Sequence, residues 1–290
     1  MPGASNRPRE VNMVLDEFYK LNNGQRIPKV ALGTWQTPNG TAKTAVAAAI
    51  DAGFRHIDTA IAYENEEGVG EGIRAGLAAT GIHRDSIFVT SKIPAEVKSY
   101  KEAEKNILES LVRLDCRHVD LMLIHAPRPW SEMNSPFKGQ NYFEENLEVW
   151  KALEEAYTAG RFRAIGVSNF EVEDLDNIME NCRVMPAVNQ IRVHIGHVPT
   201  ELIEYCHTNG ILVEAYSPNA TGRLASVPEI CAIAAKYGVS VPQLASRFVL
   251  QLGLLPIPKS ANAERIRQNA NLDFEINLED MGKLLDIKGL

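Results

Sequence analysis

Short apolar runs rich in Val, Ile, Leu and Phe alternate along this chain with longer stretches in which apolar residues return every three or four positions. The first pattern reads as strands buried on both faces, the second as helices with one apolar stripe. Candidate strands begin near Val30, Phe54, Ile87, Val119, Phe162, Ala187, Ile211 and Leu255, and a helical pattern follows each. Val69, Ile73 and Leu77 recur at a spacing of four, and Leu147, Trp150, Leu153 and Tyr157 at three or four, each set forming one stripe to pack on a sheet. Gly53, Gly160 and Gly210 each close a helical pattern just before a strand, where glycine adopts the left-handed conformation without a Cβ clash. Eight strand–helix units imply an α/β chain with a parallel sheet. An open doubly wound sheet would usually carry G-x-G-x-x-G after its first strand, but Val30-Ala-Leu-Gly-Thr-Trp-Gln36 holds one glycine. The pattern therefore predicts a closed (β/α)8 TIM barrel.

Ahead of the barrel, Glu17-Phe-Tyr-Lys-Leu21, Asn22-Asn-Gly24 and Lys29-Val-Ala-Leu32 read as strand, turn and strand, an N-terminal β-hairpin. Residues 1–15 read as a flexible tail and 16–290 as a single barrel domain, with a last helix over Leu278 to Leu285. The length of 290 residues suits one barrel of about 250 residues as well as it suits two ordinary domains.

Composition changes the picture in four places. With 45% hydrophobic and 23% charged residues the chain has ordinary globular usage. A net charge of −7 argues against a general nucleic-acid binder, so any anion site must be a local basic cluster. No run approaches the length of a membrane span, and Arg7, Arg9, Glu10 and Asn12 interrupt the start of the chain where a signal peptide would be apolar. The expected location is cytoplasmic. Cys116, Cys182, Cys206 and Cys231 form no C-x-x-C pair, which predicts reduced, mostly buried thiols and neither a metal site nor a disulfide framework.

In a (β/α)8 barrel chemistry sits at the carboxyl ends of the strands. There the second run ends in Asp58 with Tyr63 in its loop, the third ends in Lys92, and the fourth ends in His125. Each has an ordinary reading alone: a cap, a solvated cation, a scaffold imidazole. On one rim they form an acid–base set. A phenol titrates near pH 10 and donates a proton poorly unless its anion is stabilised. Lowering its pKa by about 2 to 3 units takes roughly 3 to 4 kcal/mol, and one ammonium about 4 Å away offers up to ~4 kcal/mol at an effective dielectric of 20. Lys92 is expected to lower Tyr63 in this way, with Asp58 holding Lys92 ionised and His125 aligning a substrate oxygen. Such a set donates a proton to a carbonyl oxygen but supplies no electrons, so a cofactor such as a nicotinamide must. Pro258-Lys-Ser260 follows the last strand, with Arg265 and Asn269 four apart on the next helix. Unpaired N–H groups at that helix start, with Lys259 and Arg265, suit an adenosine 2′-phosphate and favour NADPH over NADH; the plainer reading is a solvated helix face carrying two cations.

Gly33-Thr-Trp35, Asp58-Thr-Ala-Ile-Ala-Tyr63-Glu-Asn-Glu66, Ser91-Lys92, Leu123-Ile-His125, Gly166-Val-Ser-Asn-Phe170, Asn189-Gln190, Ala215-Tyr-Ser-Pro218 and Ile257-Pro-Lys-Ser260 follow one another in a characteristic order. Through them the chain resembles the aldo-keto reductases from the hairpin to Phe274. That resemblance implies NADPH-dependent reduction of an aldehyde or ketone, with Tyr63 as general acid, Lys92 and Asp58 tuning it and His125 orienting the carbonyl. It implies a cofactor held by Gly33, Thr34, Trp35, Asp58, Ser168, Asn169, Gln190, Tyr216, Ser217, Lys259, Ser260, Arg265 and Asn269. Ser168, Asn169 and Gln190 would surround the carboxamide, and Tyr216 would lie beneath the nicotinamide. Trp35 and Trp130 would wall the substrate site beside Tyr63 and His125, or else pack loops against the barrel. Ala126, Arg192 and Gln268 stand where many relatives carry Trp, Glu and Glu. With 16 residues after Phe274, a long carboxy-terminal specificity loop is expected to be absent, and the arrangement resembles the short microbial branch similar to 2,5-diketo-gluconate reductase. This implies an open pocket, a small aldehyde, dicarbonyl or keto-sugar substrate, and a monomer with neither a nucleic-acid nor a membrane partner. Two alternatives remain: a barrel lyase using Lys92 as a Schiff-base nucleophile, and a cofactor-binding regulatory subunit similar to potassium-channel β subunits.

Overall fold

Apolar strand runs separated by one-striped helices close into a barrel in the computed structural model, which describes residues 14–133 and 140–290. A hairpin comes first, β1 (Phe18–Lys20) paired antiparallel with β2 (Arg26–Pro28). The barrel strands are β3 (Leu32–Gly33), β4 (His56–Asp58), β5 (Phe88–Ile93), β6 (Val119–Ile124), β7 (Phe162–Ser168), β8 (Val188–Arg192), β9 (Leu212–Tyr216) and β10 (Leu255–Ile257). Between them run α1 (Asn39–Asp51), α2 (Glu66–Thr80), α3 (Tyr100–Leu114), α4 (Trp130–Met133), α5 (Phe143–Thr158), α6 (Val172–Asn181), α7 (Thr200–Thr208), α8 (Pro228–Lys236) and α9 (Val241–Gln251). After the last strand come α10 (Ala263–Ala270) and α11 (Leu278–Asp286).

The eight strands lie in sequence order and each pair is parallel. The first and last meet: Ala31 N–H donates to Pro256 O at 3.1 Å and Gly33 N–H to Pro258 O at 2.9 Å, and Gly33 pairs with Lys259. All eight predicted strands form. Side chains alternate along each one, so Met122 and Ile124 of β6 pack outward under the helices while Leu121 and Leu123 fill the barrel. Leu21 and Ile27 of the hairpin join that inner cluster and plug the amino end, leaving the carboxyl ends of the strands as the open mouth. Gly53, Gly160 and Gly210 have φ of +105°, +75° and +69°, the left-handed closures that their positions predict.

Three expectations are corrected. The second hairpin strand is Arg26–Pro28, not Lys29–Leu32. The tight turn, with Leu21 N–H on Gln25 O, sets Lys20 opposite Arg26, so the pairing ends at Pro28 and the next apolar run is free to close the barrel. Val14 and Leu15 are buried, and Val14 N–H donates to Asp273 Oδ1 at 2.9 Å, so packed chain begins before residue 16. The rest of the predicted tail lies outside the described residues. Of the four free cysteines only Cys206 is buried, while Cys116, Cys182 and Cys231 are half-buried. Among the described residues no helix is long and apolar enough to cross a membrane.

Candidate active site

Alternation along the strands decides which polar side chains enter the mouth. In β4, Ile57 packs outward, so His56 and Asp58 point inward; in β5, Thr90 and Lys92 share the inward face. Asp58 Oδ1 and Oδ2 each accept from Lys92 Nζ at 2.8 Å, and Nζ also donates to Thr59 O at 2.8 Å and to Tyr63 Oη at 3.3 Å. Tyr63 arrives on a one-turn 3-10 helix, Ile61–Tyr63, that Glu64 closes at φ 55°. Asn65 anchors that loop: its Nδ2 donates to Thr34 O and Thr37 O at 2.9 Å, and its Oδ1 accepts from Thr59 Oγ1 at 2.8 Å. The His125 ring stands 5.6 Å from the Tyr63 ring and 5.2 Å from the Trp130 ring, both edge to face. The four predicted catalytic residues and Trp130 therefore meet at one point. Trp35, 47% exposed, stands on the rim after β3.

The electrostatics differ from expectation in one respect. Burial pushes the Tyr63 phenol up to about 12 rather than down; Lys92 pulls it lower, but Asp58 adds an opposing negative charge beside the same ammonium. The expected lowering fails because desolvation and the chelating carboxylate outweigh one cation. Burial would lower Lys92, yet Asp58 and Tyr63 turn its pKa upward, so it is a held ammonium. Burial and Lys92 together hold His125 well below the ordinary imidazole range, so the ring is neutral at pH 7.

The predicted cofactor residues lie at the ends of barrel strands one, two and five to eight, and on α10. Ser168 Oγ donates to Gln190 O at 2.8 Å; Asn169 Nδ2 donates to His125 O and Ser168 Oγ at 3.0 Å; Asn169 Oδ1 accepts from Tyr216 Oη at 2.8 Å. Asn169 and Ser217 hold φ of 61° and 52°, left-handed turns for residues with a Cβ, directly after their strands. Thr34 is buried with its hydroxyl on Asp58 O at 2.9 Å. Gly33 pairs with both Asp58 and Lys259, which places the Lys259 cation on the same rim as the Tyr63–Lys92 pair. Neither Lys259 nor Arg265 has a salt-bridge partner among the described residues, and Asn269 is buried on the same helix as Arg265. The predicted unpaired N–H groups at the start of α10 are corrected: Asn262 Oδ1 accepts from Glu264 N and Arg265 N at 2.9 and 3.0 Å, an ordinary N-cap.

Sequence reading passed over Glu214, which lies fully buried in β9 with its Oε2 accepting from Gln190 Nε2 at 2.7 Å. The signal was present: Glu214 and Tyr216 are two apart in one strand and so share a face. Lys98 was also missed; its Nζ ties the chain after His125 by donating to Ala126 O, Pro127 O and Asn146 Oδ1.

The family model described as "Aldo/keto reductase family" matches residues 29–288. The chain belongs to the aldo/keto reductase family. As a member it is an oxidoreductase. Glyoxal reductase of Bacillus subtilis (strain 168) is 39% identical over 272 residues, 93% of this chain and 92% of its own length. An aldo-keto reductase of Bombyx mori, solved in complex with NADP, superposes with a TM-score of 0.84 at 34% identity, covering 94% of this chain and 92% of its own. A further aldo-keto reductase, solved with NADPH, gives 0.82 at 33%, over 94% and 88%. In this aldo/keto reductase the residues from β3 to α10 that carry the mouth all fall inside the matched span.

Proposed function

We propose that this aldo/keto reductase reduces a small aldehyde, dicarbonyl or keto sugar to the alcohol with NADPH, and that Tyr63 donates the proton. The observation that carries the proposal is the Tyr63 hydroxyl 3.3 Å from an ammonium that both oxygens of Asp58 hold. A phenol at about 12 is fully protonated at neutral pH, so the acid form that donation requires is present, although it is a weaker acid than free tyrosine. The phenolate left behind faces the Lys92 ammonium, and Asp58 keeps that ammonium from losing its own proton. Neutral His125 hydrogen-bonds the carbonyl oxygen without adding a charge that would repel Lys92, and Trp130 walls the site beside it.

NADPH supplies the hydride to the carbonyl carbon when bound. The mouth suits it on three counts. Tyr216 offers a ring whose hydroxyl is already tied to Asn169. Gln190 presents an amide whose N–H groups are taken by protein acceptors, leaving its carbonyl oxygen for a carboxamide. Lys259 and Arg265 offer two cations without acidic partners among the described residues, for the 2′-phosphate. Ser168 and Asn169 would join the carboxamide group, and Gly33, Thr34, Trp35, Ser217, Ser260 and Asn269 the rest of the cofactor surface. The small substrate class rests on the likeness to a relative named glyoxal reductase.

A Schiff-base lyase needs a neutral lysine, whereas the Lys92 ammonium donates to Asp58, Thr59 and Tyr63. The test is consumption of NADPH with a panel of aldehydes, dicarbonyls and keto sugars, alongside borohydride treatment with each substrate. NADPH consumption without trapping at Lys92 is expected; covalent labelling of Lys92 with no NADPH consumption would overturn the proposal.

A further inference from the structure

Glu214 is a carboxyl group with none of its surface exposed, in the middle of β9, where an acid without a partner is costly. Its Oε2 accepts from Gln190 Nε2 at 2.7 Å, and the same nitrogen donates to Asp58 Oδ2 at 2.9 Å. A primary amide has two N–H groups, and both are engaged, one by Glu214 on the neighbouring strand and one by Asp58 across the barrel. A flipped amide would bring its carbonyl oxygen against the Asp58 carboxylate, so only one orientation is compatible with the network.

We infer that Glu214 is a positioning residue: it locks the Gln190 amide between β4 and β9 so that the Gln190 carbonyl oxygen is a fixed acceptor for the cofactor's carboxamide. The inference rests on the reading of Gln190 as a cofactor residue. Removing Glu214 leaves one amide N–H unpaired in a dry interior and frees the amide to turn. Glu214 does this without disturbing the Asp58–Lys92 pair at neutral pH, because burial, with Asp58 adding to it, pushes its carboxyl up to about 8 and keeps it protonated. The imidazole facing it, His56 with Nε2 3.9 Å from Oε1, is held neutral by burial, which takes it down to about 3. Thr90 Oγ1 is the hydrogen-bond partner of that same Nε2 at 2.8 Å, and the groups that pull Glu214 the other way are the Gln190 amide and the Lys92 ammonium, which burial and Asp58 outweigh.

The test is the Kd for NADP+ by quenching of tryptophan fluorescence, measured on the wild type, Glu214→Ala, Glu214→Gln, Gln190→Ala and the Glu214→Ala/Gln190→Ala double variant. Glu214→Ala is expected to weaken binding about tenfold, the effect of one lost buried hydrogen-bond partner. Glu214→Gln still offers a carbonyl acceptor to Gln190 Nε2 and is expected to restore binding. The double variant is expected to bind no more weakly than Gln190→Ala alone, because a residue acting through Gln190 has nothing left to act on. If the alanine cavity prevents folding, Glu214→Leu keeps the volume without the acceptor and gives the same loss. Wild-type affinity in Glu214→Ala or Glu214→Leu, or additive losses in the double variant, would overturn the inference. Failure of the wild type to bind NADP+ would instead overturn the reading of Gln190 itself.

Discussion

At the scale of single residues, the identities of Tyr63, Lys92, Asp58 and His125 were legible because each ends or follows an apolar run, and a parallel barrel gathers such ends. The direction of the Tyr63 shift was not. A sequence gives the presence of a cation but neither the burial of the phenol nor the bidentate hold of Asp58 on the cation, and these decide the sign. Glu214 was missed for a related reason: a lone acid in an apolar strand shows its role only once Gln190 of the neighbouring strand stands beside it. Arg265 is exposed on α10 and has no acidic partner among the described residues, so its charge is available to a phosphate. Arg265→Ala is expected to raise the Kd for NADPH about tenfold and leave that for NADH unchanged, the loss of a charge-assisted contact. Titrations of both cofactors check this; equal loss for the two would remove Arg265 from the 2′-phosphate site.

At the scale of elements, periodicity located strands and helices well, but it did not reveal how α1 and α2 pack. Gly68, Gly72 and Gly76 recur every four residues on one face of α2. A Cβ on Gly68 would lie 2.0 Å from Asn39 O, on Gly72 2.7 Å from Lys43 O and Val46 Cβ, and on Gly76 2.8 Å from Ile50 Cδ1. Glycine there is a packing requirement that brings two backbones together, and a hydrophobic pattern is blind to it. Gly72→Ala is expected to cost about 1–3 kcal/mol by overpacking, although alanine gains roughly 1 kcal/mol of helix propensity. Urea unfolding would read the loss as a lower midpoint. Because the seam lies outside the barrel mouth, NADP+ affinity should persist, and a variant as stable as the wild type would contradict the close packing.

At the scale of the molecule, the barrel was legible from eight runs and three helix-closing glycines, while its closure was not, since it depends on Ala31 and Gly33 meeting Pro256 and Pro258. The interior it encloses couples stability to pH. Glu214 sits near pKa 8 in the folded barrel against an ordinary 4.5. Between those values the native state keeps a proton that the unfolded chain has released, so its contribution to stability is complete below about pH 4.5 and declines as pH rises toward 8. Each unit of that window is worth up to about 1.4 kcal/mol. Glu214→Gln cannot titrate, so its Tm relative to the wild type is expected to rise from pH 5 to pH 8; a constant difference would show that Glu214 is ionised in the native state. The most direct measurement for the whole assignment is the rate of NADPH oxidation with a small dicarbonyl, at saturating substrate and cofactor, in Tyr63→Phe and wild type. Proton donation by Tyr63 predicts a fall in kcat of about 10²- to 10⁴-fold with unchanged NADP+ affinity. Turnover by Tyr63→Phe at the wild-type rate would contradict it.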